Sequence, residues 1–377
     1  MRRWVIGVAL CMRTAEAQSA CARPAPRQFT PGEIVVVPDV ARPACTISFA
    51  NTQVELRADA DGKVSDIIAG FIGRGPDGRF YTSASTSAEI SVWAPDGRLL
   101  RNVGAEGRGP GAFARGLKTF LFDRGGRVYI ADRNQQWSVL GPALDFQKSM
   151  TAGMTGMAPA SLALDASGAV VAARQSGASS FSVVDISGQT PQVIRSFGAA
   201  PEGYAPARGA RRIASGGAGT FWAAAPDGSG WGYELELWNT NGTRLRTLRR
   251  SASWFPRSLP ASTPGAIPPP EIEVLHHDGT GLLYVVLMVP NKEFRIPVGL
   301  SPSDAEKAMS AMIDIHVEVI DANAGVVLAS LGPVHPLEAR PFVPEGMIQG
   351  TRLGYRQSEG PDGLSAVRIV EYKLTGR

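Results

Sequence analysis

The sequence predicts an all-β fold, a six-bladed β-propeller of four-stranded antiparallel blades, closed by an N-terminal strand in the last blade. Three observations support this fold: a recurring glycine turn, a second hairpin signal inside each repeat, and a spare strand before the first repeat. The composition agrees, because 43 Gly and 28 Pro among 377 residues favour tight turns over long helices.

The recurring phrase is a turn glycine followed by two to four apolar residues. Its copies, of which the last is weaker, are centred on Gly78, Gly126, Gly168, Gly219, Gly281 and Gly346. Successive glycines lie 42 to 65 residues apart. Repetition at this spacing indicates one supersecondary unit that is copied around an axis.

The repeats also contain a second turn between β-rich runs, which is weak in the second repeat, and Asp96-Gly97 and Asn241-Gly242 are the clearest examples. Asp, Asn and Gly accept the positive φ that tight hairpins need. Two hairpins per repeat give four antiparallel strands, which is the make-up of a propeller blade. The last repeat has too few strands, so we expect residues 46–56 to supply its outer strand and remove an exposed sheet edge.

Two insertions interrupt the regular spacing. Residues 258–270 are expected to form a Pro-rich loop between the fourth and fifth blades. Ser301-Pro302-Ser303-Asp304 should start a short helix to about Met312, since Ser is a good N-cap and Pro suits the first helical position. Both insertions should crowd one end of the axial channel, which we call the loop-rich mouth.

The N-terminus has the pattern of an export signal. Residues 1–17 combine a basic start, an apolar run and the cleavage pattern Ala15-Glu16-Ala17. The apolar run is shorter than the roughly 20 residues of a membrane span, and no other stretch is long enough. We therefore expect an exported protein, periplasmic or secreted, without a transmembrane segment. Residues 18–45 would be an N-terminal tail and residues 46–377 the propeller.

The cysteines agree with export. After cleavage, Cys21 and Cys45 would remain of the three cysteines in the chain. In an oxidising compartment they can form a disulfide that closes a loop of about 25 residues and stabilises the fold by roughly 3–4 kcal/mol. Two unpaired thiols and lipidation of Cys21 are the alternatives.

The charge argues against nucleic acid as a partner. The chain carries +4, and residues 1–17 hold three arginines against one glutamate, so that the rest carries +2. No Lys/Arg-rich run is present, and nucleic-acid-binding proteins need such a basic surface.

Two segments carry a family resemblance: the hairpin phrase Asp77-Gly78-Arg79-Phe80-Tyr81 and the run Gly104–Phe113, which reads G-A-E-G-R-G-P-G-A-F. Together they resemble exported bacterial six-bladed β-propellers related to NHL-repeat proteins, in which such a run commonly precedes the second blade. The strand ending Tyr129-Ile130-Ala131-Asp132 is also of the NHL type. The resemblance covers residues 46–377 and implies binding more clearly than any reaction.

The candidate binding residues lie where the innermost strands should begin. These starts are expected near Asp66, Lys118, Ser161, Arg212 and Glu271. Lys118 and Arg212 would receive an acidic ligand or protein segment, with Arg115 and Arg211 at the rim. Arg108 lies in a glycine-rich loop that is either a tight turn or an anion-binding loop. The alternative for Asp66, Lys118, Arg212 and Glu271 is that they neutralise one another.

Catalytic motifs are missing from the sequence: it has no phosphate loop, zinc-type spacing or nucleophile elbow. His276 and His277 form the only histidine cluster. Neighbouring residues of a strand point to opposite sides, so these two imidazoles should not share a metal and should lie at a solvated strand end. Trp231, Tyr233, Trp254 and Phe255 either contact a carbohydrate or peptide or anchor the Pro-rich insertion.

The sequence therefore predicts a monomeric binding or interaction module without a cofactor, whose loop-rich mouth receives a protein or a small acidic ligand of the cell envelope. The alternative is a lactonase-like or amidating-lyase-like enzyme with Ca²⁺ in the channel. Lys118 and Arg212 oppose such a site by charge. A structural spacer, with every channel charge paired internally, is the third interpretation.

Overall fold

The structure, a computed structural model, describes the chain from residue 20 onward with internal gaps. The described residues are 20–57, 71–83, 87–107, 109–113, 117, 119–132, 136–151, 157–164, 170–174, 179–188, 190–199, 211–217, 219–225, 232–255, 270–295, 299, 301, 304, 308, 311–334, 346–348, 351–359 and 365–377. Within them, 25 strands form six sheets, and the innermost strands of successive sheets lie side by side around an axis. The predicted six-bladed β-propeller is confirmed.

Two strands precede the first blade and join later blades. They are β1 (Glu33–Val37) and β2 (Cys45–Arg57). Blade 1 then contains β3 (Phe71–Arg74), β4 (Phe80–Ser83), β5 (Ile90–Trp93) and β6 (Leu99–Val103). Blade 2 contains β7 (Thr119–Phe122), β8 (Val128–Ala131), β9 (Gln136–Leu140) and β10 (Phe146–Thr151). Blade 3 contains β11 (Met157–Leu164), β12 (Val170–Arg174), β13 (Ser179–Asp185) and β14 (Gln192–Ala199).

The second half of the ring follows the same plan. Blade 4 contains β15 (Ile213–Gly217), β16 (Thr220–Ala224), β17 (Glu234–Asn239) and β18 (Arg244–Arg250). Blade 5 contains β19 (Glu271–His277), β20 (Leu282–Pro290), β21 (Ile313–Asp321) and β22 (Val326–Val334). Blade 6 contains β23 (Gly346–Met347), β24 (Leu353–Glu359), β25 (Ser365–Gly376) and, from the N-terminal side, β2.

Strand β2 closes the ring as the sequence predicts. It pairs antiparallel with β25 from Cys45 opposite Gly376 to Arg57 opposite Ala366. The turn of blade 1 at Gly97 confirms the fit, because a Cβ on this glycine would lie 2.7 Å from the carbonyl oxygen of Glu55 in β2. Only glycine allows that approach, and its φ of 90° favours glycine as well.

The hydrophobic core is divided into six clusters, one at each interface between neighbouring blades. Between blades 6 and 1, for example, Ile348 and Val367 pack against Phe80 and Trp93. Trp93 and Trp137 are buried in third strands and Trp238 packs on such a cluster, as predicted for packing between blades. A closed ring buries both faces of every blade, which an open stack of hairpins could not do.

The described turn glycines lie where the repeat phrase places them, with one exception, and Gly168 lies outside the described residues. Gly78 follows β3 and has a φ of 82°, in the region that favours glycine. Gly346, in contrast, is part of β23 and not of the turn that follows it. The weak sixth copy of the phrase therefore marks the right blade but the wrong position in it.

The N-terminal tail packs on the propeller, a feature that the sequence analysis missed. Strand β1 pairs in parallel with β18 and makes blade 4 five-stranded. The Arg23 guanidinium binds Asp321 of blade 5 at 2.7 Å. Cys21 and Cys45 form a disulfide with a Cα–Cα distance of 5.6 Å, which fastens the tail to the closing strand β2. We call residues 20–44 the strap, because they join blades 4, 5 and 6.

The insertion within blade 5 begins as the sequence predicts. Asp304 and Ala308 are helical, and the Asp304 backbone N–H donates to the Ser301 hydroxyl at 3.2 Å. Ser301 is therefore the N-cap of this short helix. The insertion falls between β20 and β21, as expected.

Candidate functional site

The candidate site is a cavity on the propeller axis. It has a volume of about 520 Å³ and is lined by residues of all six blades. The lining residues lie at the ends of the innermost strands and in the turns that lead to the second strands. The cavity is therefore at the end of the channel opposite the loop-rich mouth. We call it the axial cavity.

The residues that line the axial cavity have a fixed position in the repeat. In the first five blades, the residue four positions before the turn glycine lines it. These residues are Arg74, Phe122, Leu164, Ser215 and His277. The repeat phrase thus contained a signal for the site, which the sequence analysis did not use.

Two arginines of the axial cavity have no carboxylate partner among the described residues. Arg74 makes one long hydrogen bond, 3.4 Å, to the Gly78 carbonyl and stacks over the Phe80 ring at 5.4 Å. Arg124 is exposed in the turn after β7 and forms no ion pair or hydrogen bond with the described part of the chain. Both guanidinium groups keep donors for a ligand.

The carboxylate of the axial cavity, Asp123, is already engaged by its own blade. Its oxygens accept hydrogen bonds from the Arg127 backbone N–H at 2.9 Å, from Arg127 Nε at 2.6 Å and from the Tyr129 hydroxyl at 3.2 Å. The charge of Asp123 is therefore balanced by Arg127, and Arg74 and Arg124 set the electrostatic character of the cavity.

Two neutral imidazoles form part of the wall on blade 5. His276 is only 4% exposed, and burial lowers its pKa to about 4. Its ring lies beside the backbone of Thr351 of blade 6, and the His277 ring lies beside the backbone of Ser215 of blade 4. The two rings therefore point to opposite sides, as the sequence predicts, but the expected solvated strand end is wrong because His276 is buried.

The buried His276 makes stability depend on pH. A histidine in the unfolded chain binds a proton below a pH of about 6.5, whereas His276 in the folded protein, with a pKa of about 4, binds one only below a pH of about 4. The unfolded state therefore gains protons first, and stability falls as the pH drops through this window. We expect His276 alone to lower the free energy of unfolding by about 2 kcal/mol between pH 7 and pH 5.

Urea unfolding of the wild type and of His276→Phe at pH 7 and pH 5 measures this contribution. The loss of stability on acidification should be smaller in His276→Phe by that amount. Equal losses in the two proteins would show that His276 is protonated alike in the folded and unfolded states.

The sequence-predicted site residues lie elsewhere or outside the described residues. Arg212 immediately precedes β15, and its Nη2 binds Oε2 of Glu273 on blade 5 at 2.9 Å. Glu271 begins β19, two residues from that partner, and has a polar interaction of its own. The structure thus does not join Arg212 to Glu271. The remaining four candidates lie outside the described residues: Asp66, Arg108, Arg115 and Lys118.

The burial of Arg211 and of the aromatic residues near the Pro-rich insertion bears on two further expectations. Arg211 is not at the rim, because it is 6% exposed, binds Glu236 and lies 4.7 Å over the Phe181 ring. Tyr233 is buried, and Trp254 and Phe255 pack on the cluster between blades 4 and 5. Trp231 and residues 258–269 of the Pro-rich insertion lie outside the described residues, so that the anchor interpretation stays a prediction.

Within the described ranges, no three His, Cys, Asp or Glu side chains are close enough to hold a metal ion. The described part of the chain also has no helix with the length and apolarity of a membrane span.

Comparison with known proteins finds likeness in structure alone. No protein-family model and no curated protein matches the chain. A Bacteroides fragilis protein named for its expected export is similar in structure, with a TM-score of 0.59, 11% identity, and coverage of 90% of this chain and 100% of that one. A DUF4221-family member from Bacteroides vulgatus has a TM-score of 0.51 at 10% identity, covering 88% and 99%. At such identities the likeness shows the class, a six-bladed β-propeller, and nothing finer.

Proposed function

We propose that this protein is an exported binding module whose axial cavity holds a small ligand. The observation that carries the proposal is the convergence of all six blades on one cavity of about 520 Å³. Ligand pockets usually have volumes of about 300–1,000 Å³ and a few converging polar groups. Apolar side chains such as Phe122 and Leu164 lie beside polar ones here, which is the usual make-up of such pockets.

Export is supported by the signal pattern in residues 1–17 and by the disulfide between Cys21 and Cys45. Disulfides persist in oxidising compartments such as the periplasm. Kinship with NHL-repeat proteins, and a working surface at the loop-rich mouth, remain predictions. So does the hydrolase or lyase alternative, for which no described side chains supply a metal site.

Histidine NMR tests the proposal, because the chain has only four histidines. His276 and His277 line the axial cavity. His316 lies outside the cavity, where its ring stacks on the Trp254 ring with a centroid distance of 4.0 Å. We expect at least one compound of a library of sugars, amino acids, nucleotides and organic acids to shift the His276 or His277 signals and not those of His316. The variant His277→Gln assigns its signal. A library that shifts neither signal contradicts ligand binding in the cavity.

A further inference from the structure

The charge of the axial cavity favours one class of ligand. Among the described residues, Arg74 of blade 1 and Arg124 of blade 2 line it without a carboxylate partner, and Arg127 neutralises the cavity carboxylate Asp123. The neighbouring carboxylate Asp278 is bound by Arg352 at 2.7 Å. A guanidinium group presents a planar fork of donors that matches the oxygens of a carboxylate or phosphate.

The opposite wall of the axial cavity offers a hydrogen-bond acceptor. Six blades in ring order place blade 5, with His276 and His277, across the axis from blade 2. A neutral imidazole has one nitrogen that accepts a hydrogen bond. Nε2 of His276 is buried and has no hydrogen-bond partner among the described residues, whereas His277 is half-buried and lines the axial cavity. His277 is therefore the imidazole that can accept a hydrogen bond from a ligand.

We propose that the axial cavity binds a small hydroxylated organic anion, with its carboxylate or phosphate at Arg74 and Arg124 and its hydroxyl groups toward blade 5. This inference rests on the proposed function and specifies the chemistry of its ligand. Sugar acids and sugar phosphates share this chemistry and fit the volume of the cavity. The predicted acidic ligand is thus retained, but at the opposite end of the channel and at different arginines.

The test compares three probes of similar size by titration calorimetry: D-glucuronate, D-glucose 6-phosphate and neutral D-glucose. At least one of the two anions should bind tenfold or more tightly than glucose. The stronger anion shows whether a carboxylate or a phosphate is the natural group. Because Arg124 is exposed and unpaired among the described residues, Arg124→Gln should fold normally and bind that anion at least tenfold more weakly.

Arg98→Gln is the matched control. Arg98 is an exposed turn residue of blade 1 outside the axial cavity, and its substitution removes the same charge. It should leave the affinity unchanged. Arg74→Gln is a second variant expected to weaken binding, and circular dichroism checks its fold because Arg74 also packs on Phe80.

Three results would overturn the anion proposal: no anion binds tenfold more tightly than glucose, Arg124→Gln binds like the wild type, or Arg98→Gln weakens binding as much as Arg124→Gln. The histidine signals then separate the two proposals. If a neutral compound still shifts His276 or His277, the cavity is a ligand site and only its charge preference is wrong.

Discussion

Replacing Glu318 by alanine is expected to lower the free energy of unfolding by about 3–5 kcal/mol, because it leaves the buried Arg250 without its main counter-charge. Glu318 on β21 is fully buried, and its oxygens accept hydrogen bonds of 2.9 to 3.3 Å from Nε and Nη2 of Arg250 on β18. Arg250 also binds Asp39 of the strap at 3.0 Å. The ion pair therefore ties together blade 4, blade 5 and the strap.

Urea unfolding of Glu318→Ala measures this loss, and a surface pair supplies the control. The pair between Arg368 and Glu55 has half-exposed side chains, and Glu55→Gln should cost less than about 1 kcal/mol. The double variant Arg250→Met/Glu318→Leu should lose less free energy of unfolding than the single variants Arg250→Met and Glu318→Leu lose together. The reason is that neither charge is left buried without its partner in the double variant. If Glu318→Ala is as mild as Glu55→Gln, Arg250 is solvated in the folded protein.

Removing the disulfide is expected to lower the free energy of unfolding by about 3–4 kcal/mol. Cys21 and Cys45 are 24 residues apart in the chain, and the bond limits the freedom of the unfolded state. The double variant Cys21→Ala/Cys45→Ala is used because Cys45 is only 1% exposed, and a polar replacement there would bury a polar group. Thermal unfolding followed by circular dichroism gives the change.

Reduction provides an independent control for the disulfide. Dithiothreitol should lower the unfolding temperature of the wild type to about that of the double variant, and it should leave the double variant unchanged. A double variant as stable as the oxidised wild type would mean that the strap is held by its ion pairs and by β1 alone.

The blade architecture could be predicted because it depends on local chemistry. Turns such as those at Gly78 and Gly97 need a positive φ, and the strands of a blade follow one another in the chain. Strand β1 could not be predicted in the same way. Its Val-rich sequence is typical of a strand, but its parallel partner β18 is distant in the chain and is fixed by tertiary packing.

The candidate site was predictable only in part. Alignment of the repeats on their turn glycines places Arg74 and His277 at the same position, four residues before the turn glycine, but the alignment does not show that this position lines a cavity. The sequence analysis chose charged residues near the strand starts, and one of these, Arg212, is paired with Glu273. Whether a charge is paired depends on neighbouring blades, which lie far away in the sequence.

The origin of the closing strand bears on how the protein is made. Thr46 of β2 and Thr375 of β25, whose hydroxyl groups are 2.8 Å apart, are separated by 329 positions. Blades 1 to 5 can form as they leave the ribosome or the export channel, because four consecutive strands form each of them and β1, which joins blade 4, is made before it. Blade 6 has to wait until β25 has been made. A chain released before β25 is complete would leave β2 without its neighbour and the flanks of blades 1 and 5 open to proteases, so that closure of the ring selects molecules that contain β25.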